Sequence, residues 1–261
     1  MSQKIDERCD RIMKAILRVG DISVKDLVDQ VKTSAPSMRR DLARLEKRGL
    51  IRRTHGGATL VEPLLYESFR HDTSFQAREL RGADEKRRIG LAAAQLIVEK
   101  EVIGLNASTT TTQIGRSLRH RQGISVITNA LNIGMELCNQ PAIKTTLTGG
   151  SIAWVWTFAL AGQAAINSLR DVYLDKVFIG VTGVDVERGI TTLEPEEATV
   201  TQAMIRQAKQ IIVVADSSKI GHVSPALICH IDAVDILVTD TGITEEAFQA
   251  FTAKGVQVIS V

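Results

Sequence analysis

The sequence predicts an α/β protein in which a small, basic, helical head precedes a larger body built around a mostly parallel sheet. Residues 1–60 contain 14 Lys or Arg against 8 Asp or Glu, a net charge of +6, whereas residues 61–261 carry 18 against 22, a net −4. Residues 86–261 alternate short apolar runs with amphipathic stretches, a pattern typical of α/β domains. A basic head on a mildly acidic body favours a polyanionic partner for the head.

Length and composition exclude several classes of protein. The 261 residues are enough for two domains. No apolar run reaches the ~18 residues of a membrane span, and the N-terminus lacks the apolar segment of a signal peptide. We therefore expect a cytoplasmic protein with no membrane contact. Cys9, Cys138 and Cys229 are far apart in the chain, so we expect buried thiols and no metal site. We also expect no cofactor.

The head begins with two predicted helices. A helical apolar stripe around Ile12 and Ile16 predicts the first helix over residues 6–18. Ser23 can cap the second helix. The inward-facing residues of that second helix are Val24, Leu27, Val28 and Val31.

The third predicted helix, residues 34–48, has the composition of a DNA-reading helix. Ser34 can cap it, and Pro36 fits its first turn, where a missing N–H costs little. Its buried stripe is Met38, Leu42 and Leu45. Its other faces carry Ser37, Arg39, Arg40, Arg44, Lys47 and Arg48. Two short helices, a tight turn and a basic third helix match the helix-turn-helix, whose third helix enters the major groove.

Residues 50–60 predict a wing, since they consist of a strand, a Gly-Gly turn and a second strand. A three-helix bundle with a solvated basic face is the alternative for the head. The predicted DNA contacts are Ser34, Ala35, Pro36, Ser37, Arg39, Arg40, Arg44, Arg52, Arg53 and His55. The head then spans residues 1–60, a polar linker residues 61–85, and the body residues 86–261.

In the body, runs such as residues 211–214 are apolar throughout, which indicates strands buried on both faces of a mostly parallel sheet. Strands are predicted near residues 102–106, 124–128, 144–148, 176–180, 210–215, 233–239 and 257–261. Helices are predicted near residues 85–98, 110–119, 130–139, 163–170, 196–208 and 245–254.

Small and polar residues recur where these predicted strands end. Open α/β sheets bind ligands at the carboxyl ends of their strands, and the N–H groups of a helix N-terminus suit an anion. Hydroxyls, glycines, a lysine and an aspartate together suit a phosphorylated polyol or sugar, although each turn alone is equally ordinary loop chemistry. The candidate effector residues are Asn106, Ser108, Thr109, Thr110, Thr128, Asn129, Gly149, Gly150, Gly183, Asp185 and Lys219.

These motifs resemble the DeoR family of transcriptional regulators. In the head the resemblance rests on residues 39–42, Arg-Arg-Asp-Leu, followed by residues 55–58, His-Gly-Gly-Ala. In the body it rests on residues 85–86, Glu-Lys, with Ile89, and on the order of the turns. It covers essentially the whole chain. It implies a winged helix-turn-helix joined to a sensor domain similar in fold to sugar-phosphate isomerases and coenzyme A transferases. It also implies a repressor of a carbohydrate-metabolism operon, relieved by a phosphorylated sugar or related metabolite.

Two positions depart from the family pattern Asp-x-Gly-Thr-Thr, because Asn106 and Ser108 stand where the family has Asp and Gly. Loss of the carboxylate removes an acceptor for sugar hydroxyls, and Ser108 limits the backbone conformations of the turn. An unusual effector, weak binding, and a DNA-binding oligomer without a small-molecule effector all stay open.

The main alternative is a sugar-phosphate isomerase fused to a DNA-binding head. Isomerisation needs a carboxylate base beside the substrate carbons, but Asp185 has no close acidic partner before Glu187, and the five histidines form no catalytic or metal-ligand pattern. We therefore expect a regulator without enzymatic activity. Because helix-turn-helix proteins pair on two half-sites of double-stranded operator DNA, we also expect a homo-oligomer, a dimer or a tetramer.

Overall fold

The computed structural model describes residues 8–9, 11–12, 15–16, 21–47, 51–54, 56–60, 75–118, 121–152 and 158–261. The chain divides into two compact units, Met1–Arg70 and His71–Val261. The described residues of the first predicted helix are helical, and Ile12 and Ile16 are buried, as their stripe predicts.

The first unit is a winged helix-turn-helix. Its second helix, Val24–Val31, is capped by Ser23, whose Oγ accepts the Asp26 N–H at 3.1 Å. Lys32 adopts a left-handed conformation (φ 53°) and ends that helix, which makes the tight turn before the third helix. We call this third helix, Ala35–Lys47, the reading helix. Its predicted stripe of Met38, Leu42 and Leu45 is buried.

The wing is a three-stranded antiparallel sheet. Its strands are β1 (Asp21–Ser23), β2 (Ile51–Thr54) and β3 (Gly57–Leu60). β3 lies between the other two. The predicted pair of strands is confirmed, whereas β1 is too short to show any periodicity in the sequence.

The second unit is built on a parallel sheet of seven strands, as predicted. The unit also contains short strands outside this sheet. In chain order its described strands are β4 (Val102–Leu105), β5 (Ile124–Thr128), β6 (Ile143–Leu147), β7 (Ser151–Ile152), β8 (Leu160–Ala161), β9 (Leu174–Gly180), β10 (Gly183–Asp185), β11 (Gly189–Thr192), β12 (Ala208–Val214), β13 (Ala226–Cys229), β14 (Ile236–Thr239) and β15 (Gln257–Ser260). The parallel sheet has the order β15-β14-β12-β9-β4-β5-β6. The helices are Phe75–Leu80, Ala83–Gln95, Thr109–Ser117, Leu131–Leu137, Gln163–Ser168, Pro195–Arg206 and Glu245–Ala253.

Both faces of the sheet are buried at its central strands. Phe178, Ile212 and Val214 pack into one apolar cluster, while Val177 and Val213 pack into another, so neighbouring residues of β9 and β12 enter different cores. This alternation explains why the run at 211–214 is apolar throughout.

Three features of the second unit differ from the sequence prediction. Residues 75–80 form a helix and Ala83 begins another, although residues 61–85 were expected to be a linker. The last predicted strand but one begins at Ile236, because residues 231–233 form a 3₁₀ turn. A small antiparallel sheet of β10, β11 and β13 and a pairing of β7 with β8 were not predicted.

Candidate functional site

The reading helix presents three arginines to solvent. Ser34 caps it as predicted, since its Oγ accepts the Ser37 N–H at 3.4 Å. Arg39, Arg40 and Arg44 are exposed. An exposed row of guanidinium groups on this helix fits guanine edges and phosphates. Ala35 and Pro36, also predicted DNA contacts, are exposed in its first turn.

Two arginines of the wing, Arg52 and Arg53, differ in their contact with the reading helix. Both are exposed, but Glu46 of the reading helix binds Arg53 twice, through its N–H at 3.1 Å and through its guanidinium at 3.0 Å. Glu46 therefore ties β2 to the reading helix and offsets the Arg53 charge. His55 lies outside the described residues.

Asp41, the acid of the Arg-Arg-Asp-Leu motif, has a structural task. Its side chain is 1% exposed and accepts Arg8 Nε at 2.5 Å and Arg44 Nη1 at 3.5 Å. The hydrogen bond to Asp41 raises the pKa of Arg8. The buried carboxylate thus joins the first helix to the reading helix and helps to orient Arg44.

In the second unit, a cleft of about 790 Å³ opens at the carboxyl ends of β4 and β9. The strand order reverses between these two strands, because β5 and β6 lie on one side and β12, β14 and β15 on the other. Ligands of open α/β sheets bind at such a switch point. Six of the predicted effector residues line the cleft: Asn106, Ser108, Thr109, Thr110, Asn129 and Lys219.

Asn106 joins the two strands at the switch point. Its Nδ2 donates to the Gly180 carbonyl at 2.9 Å, and its Oδ1 accepts the Gly180 N–H at 2.8 Å. An aspartate could accept but not donate, so the amide suits this position better than the carboxylate of the family pattern. Asn129 is used similarly, because it accepts the Ala107 N–H and donates to the Leu160 carbonyl, both at 3.0 Å.

The first turn of helix Thr109–Ser117 provides polar groups to the cleft. Ser108 caps it, accepting the Thr111 N–H at 3.0 Å. The first N–H groups of a helix have no partner within the helix. The Ser108 hydroxyl already accepts the N–H of Thr111. The N–H groups of Thr109 and Thr110 are therefore the ones that can donate to an anion in the cleft.

The cleft carries charges of both signs. Its cationic side chains are Arg78, Arg81, Lys86 and Lys219. Its acidic ones are Glu85, Glu197, Asp216 and Asp240. Burial opposes ionisation of Asp240, but the N–H groups of Ser217 and Gly242 and the Ser217 hydroxyl, 2.6 to 2.9 Å away, hold its pKa below the usual range. Asp216 accepts the Ser218 N–H at 3.2 Å. These two carboxylates thus hold the loop that carries Lys219.

Five of the predicted effector residues are not among those that line the cleft. Thr128 is buried and donates to the Leu105 carbonyl at 2.7 Å. Gly149 and Gly150 follow β6, at the edge of the sheet. Gly183 belongs to the small sheet, where its backbone packs on His222, and Asp185 accepts two N–H groups of the turn after β10. These five residues belong instead to the strands and to the turns that follow them.

Sequence reasoning missed the cationic wall formed by Arg78, Arg81 and Lys86. The helix that carries Arg78 lies in the segment expected to be a linker, and it precedes the strands whose ends pointed to the site. Lys86 belongs to the motif at residues 85–86 that contributes to the family resemblance, and this was the one available signal.

Within the described ranges, no group of three or more His, Cys, Asp or Glu side chains could hold a metal ion. No helix in the same ranges is long and apolar enough to cross a membrane. The expectation of buried thiols holds for Cys9 but is wrong for Cys138, which is exposed. Cys229 is half-buried, and burial raises the pKa of its thiol to about 12.

Two family profiles match the chain. One, described as a DeoR-like helix-turn-helix domain, matches residues 8–63, and the other, described as a DeoR C terminal sensor domain, matches residues 81–241. The second alone covers more than half of the chain.

Relatives align along nearly the full length. The putative aga operon transcriptional repressor of Escherichia coli O157:H7 is 30% identical over 98% of this chain and 93% of its own. The regulator GlpR of Haloferax volcanii is 31% identical over 97% and 96%, and the repressor GlcR of Bacillus subtilis 34% over 90% and 88%. The structure of ribose 5-phosphate isomerase A from Methanocaldococcus jannaschii overlaps 53% of this chain and 55% of that chain at 18% identity and a TM-score of 0.40, a distant likeness that fixes neither activity nor ligand.

Proposed function

The chain belongs to the DeoR family of DNA-binding transcriptional regulators, and from this premise we propose that it represses a carbohydrate-metabolism operon and leaves its operator when a phosphorylated sugar or related metabolite fills the cleft. It is a regulator rather than an enzyme, since both domain profiles and the full-length relatives are those of regulators. The alternative of an isomerase is not favoured, and Asp185, its expected base, is not among the residues that line the cleft.

The observation that carries the effector proposal is the composition of the cleft. Lys219 and the N-terminus of helix Thr109–Ser117 line it together, and both attract a phosphate. Thr182 and Ser224, whose hydroxyls lie 2.8 Å apart, give it donors and acceptors for sugar hydroxyls. Asn106 and Asn129 support this site by positioning its loops.

The DNA proposal rests on the reading helix and the wing. Arg39, Arg40 and Arg52 are exposed on elements that a winged helix-turn-helix lays against the major groove and the backbone. Such proteins bind paired half-sites, so a homodimer or a larger homo-oligomer would read the operator.

The DNA proposal is tested by replacing Arg39 and Arg40 with alanine. Each bidentate arginine contributes about 1–3 kcal/mol of discrimination, so the double variant should bind promoter DNA of the neighbouring genes about 100-fold more weakly in a gel-shift titration. The matched control replaces two exposed arginines of the second unit, Arg170 and Arg188. Operator affinity that survives the first pair of changes would contradict this assignment.

The effector proposal is tested by thermal-shift screening with a panel of sugar phosphates, followed by calorimetry with each compound that stabilises the protein. Lys219→Ala should weaken binding at least about tenfold, because a hydrogen bond to a charged group contributes about 1.5–3 kcal/mol. The exposed Lys144 provides the control Lys144→Ala. Equal affinities in the Lys219 variant and wild type would count against Lys219, and a panel without any hit would count against the class of effector.

A further inference from the structure

Residues 75–82, which we call the wall segment, form one side of the cleft. Helix Phe75–Leu80 leads into Arg81 and Gly82, and Arg78, Arg81 and Gly82 line the cleft. Phe75 anchors the segment, since its buried ring meets the ring of Phe158 edge to face at a centroid distance of 5.3 Å. The wall segment is the first described part of the chain after the wing strand β3.

Lys86, in the next helix, caps the wall segment. Its side chain is only 5% exposed, and its ammonium donates to the carbonyls of Arg78 and, at 2.6 Å, of Arg81. Carbonyls at the C-terminal end of a helix have no partner within the helix and carry partial negative charge. Lys86 therefore satisfies two such groups with one positive charge.

The same ammonium belongs to the cleft. Lys86 lines the cleft together with Asp216 and Lys219. Burial lowers the pKa of Lys86, and Lys219 and Arg78 lower it further, against the opposing attraction of Asp216. An anion in the cleft would favour the charged form. An ammonium has three N–H donors, and among the described residues the two carbonyls take two of them, so one is left for an occupant of the cleft.

The wall segment depends on such contacts for its order. A helix of six residues is far below the length at which an isolated helix is stable in water. Besides the Phe75 anchor, it is held by the ion pair of Glu79 with Arg116, 2.6 Å long, and by the Lys86 cap. Strengthening the cap should therefore slow local opening of the segment.

We infer that the wall segment is a latch ordered by the effector. An anion in the cleft binds Arg81 and the third N–H of Lys86, and so fixes the cap that holds helix Phe75–Leu80. This rests on the proposed function, because it takes a phosphorylated metabolite as the occupant. Binding in the cleft thereby stabilises the wall segment, which is the described part of the second unit nearest in sequence to the DNA-reading unit.

The test is hydrogen–deuterium exchange by mass spectrometry on the full chain, with and without inorganic phosphate or glucose 6-phosphate, whose binding is measured separately by calorimetry. The bound probe should slow exchange of amides 77–82 about tenfold, the effect of one added charge-assisted hydrogen bond. Lys86→Met should speed exchange of these amides without ligand and should abolish the slowing by ligand.

The matched control is Lys176→Met, since Lys176 is another largely buried lysine that donates to a carbonyl after a helix, that of Leu96 at 2.6 Å, but is not among the residues lining the cleft. It should leave the slowing at 77–82 intact. If Lys86→Met fails to fold, Arg81→Gln, a change at an exposed side chain, should reduce the slowing instead. Two results would overturn the latch alone. One is ligand-induced slowing of exchange at 77–82 that persists in the folded variants at Lys86 and Arg81. The other is a probe that binds the wild-type protein without slowing exchange there. Failure of both probes to bind would overturn the latch together with the proposed phosphate site.

Discussion

Asn106 shows how one side-chain amide can hold a switch point together. It donates to and accepts from the same residue, Gly180, which lies 74 positions away on the neighbouring strand. Both groups are buried, so neither can exchange its partner for water without local opening. The amide therefore contributes to the edge of the cleft through geometry rather than through charge.

We predict that Asn106→Asp destabilises the second unit, although it restores the carboxylate of the family pattern. The carboxylate would face the Gly180 carbonyl without a proton to donate, and a buried unsatisfied polar group costs about 1–3 kcal/mol. Denaturant unfolding followed by circular dichroism measures the loss. Asn139→Asp makes the same chemical change at an exposed position and should be nearly neutral. Equal stability of the two variants would show that the paired hydrogen bonds contribute nothing.

The same residue shows where sequence reasoning stops. The end of β4 was predicted to within one residue, and Asn106 does line the cleft. Yet the sequence pattern located the turn without indicating the direction of the side chain. That direction depends on Gly180, whose strand becomes a neighbour only in the assembled sheet.

At the scale of elements, the contact between β2 and the reading helix lowers the positive charge of the DNA-reading face, because Glu46 pairs with Arg53. Glu46→Gln can keep the hydrogen bond to the Arg53 N–H while removing the charge that offsets its guanidinium. We predict tighter binding to non-specific duplex DNA and a steeper dependence on salt, with the slope of log K against log salt growing by up to about 0.9, one phosphate contact.

The matched control is Asp29→Asn, which removes an exposed negative charge from helix Val24–Val31. Fluorescence anisotropy across a salt series compares the two variants. Identical slopes would show that the gain comes from net charge alone and that Arg53 does not reach the phosphates.

Elements were predictable where burial imposes a long pattern. The central strands β4, β9, β12 and β14 have apolar runs because both of their faces are covered, whereas the edge strands β6 and β15 are largely exposed and mix apolar with polar residues. Helix Phe75–Leu80 has six residues and no repeating apolar stripe, and β10 and β11 are short and rich in glycine and threonine. Their formation depends on contacts with distant parts of the chain, such as the pairing of β11 with β13, which no local window of sequence contains.

At the scale of the whole molecule, each apolar cluster of the described residues belongs to one unit. One contains only residues between Cys9 and Ala58, and the other two only residues after Gly82. A change in one of these clusters should therefore alter the packing of its own unit.

We predict that Asp41→Asn and Asn106→Asp destabilise different units and that their effects add. Asp41→Asn weakens the buried contact with Arg8, at about 1–3 kcal/mol. Scanning calorimetry should shift the unfolding of one unit in each single variant, and the double variant should match the sum within about 0.5 kcal/mol. A larger deviation would reveal energetic coupling between the units.

The strand order also implies a sequence of assembly. β4, β5 and β6 are consecutive neighbours along the chain, so their half of the sheet closes only short loops, whereas β4 meets β9 across a long intervening segment. Closing a longer loop costs more chain entropy and slows non-local pairing. We therefore expect the seam between β4 and β9 to form after the folding transition state. Asn106→Asp, placed at that seam, should then accelerate unfolding far more than it slows refolding.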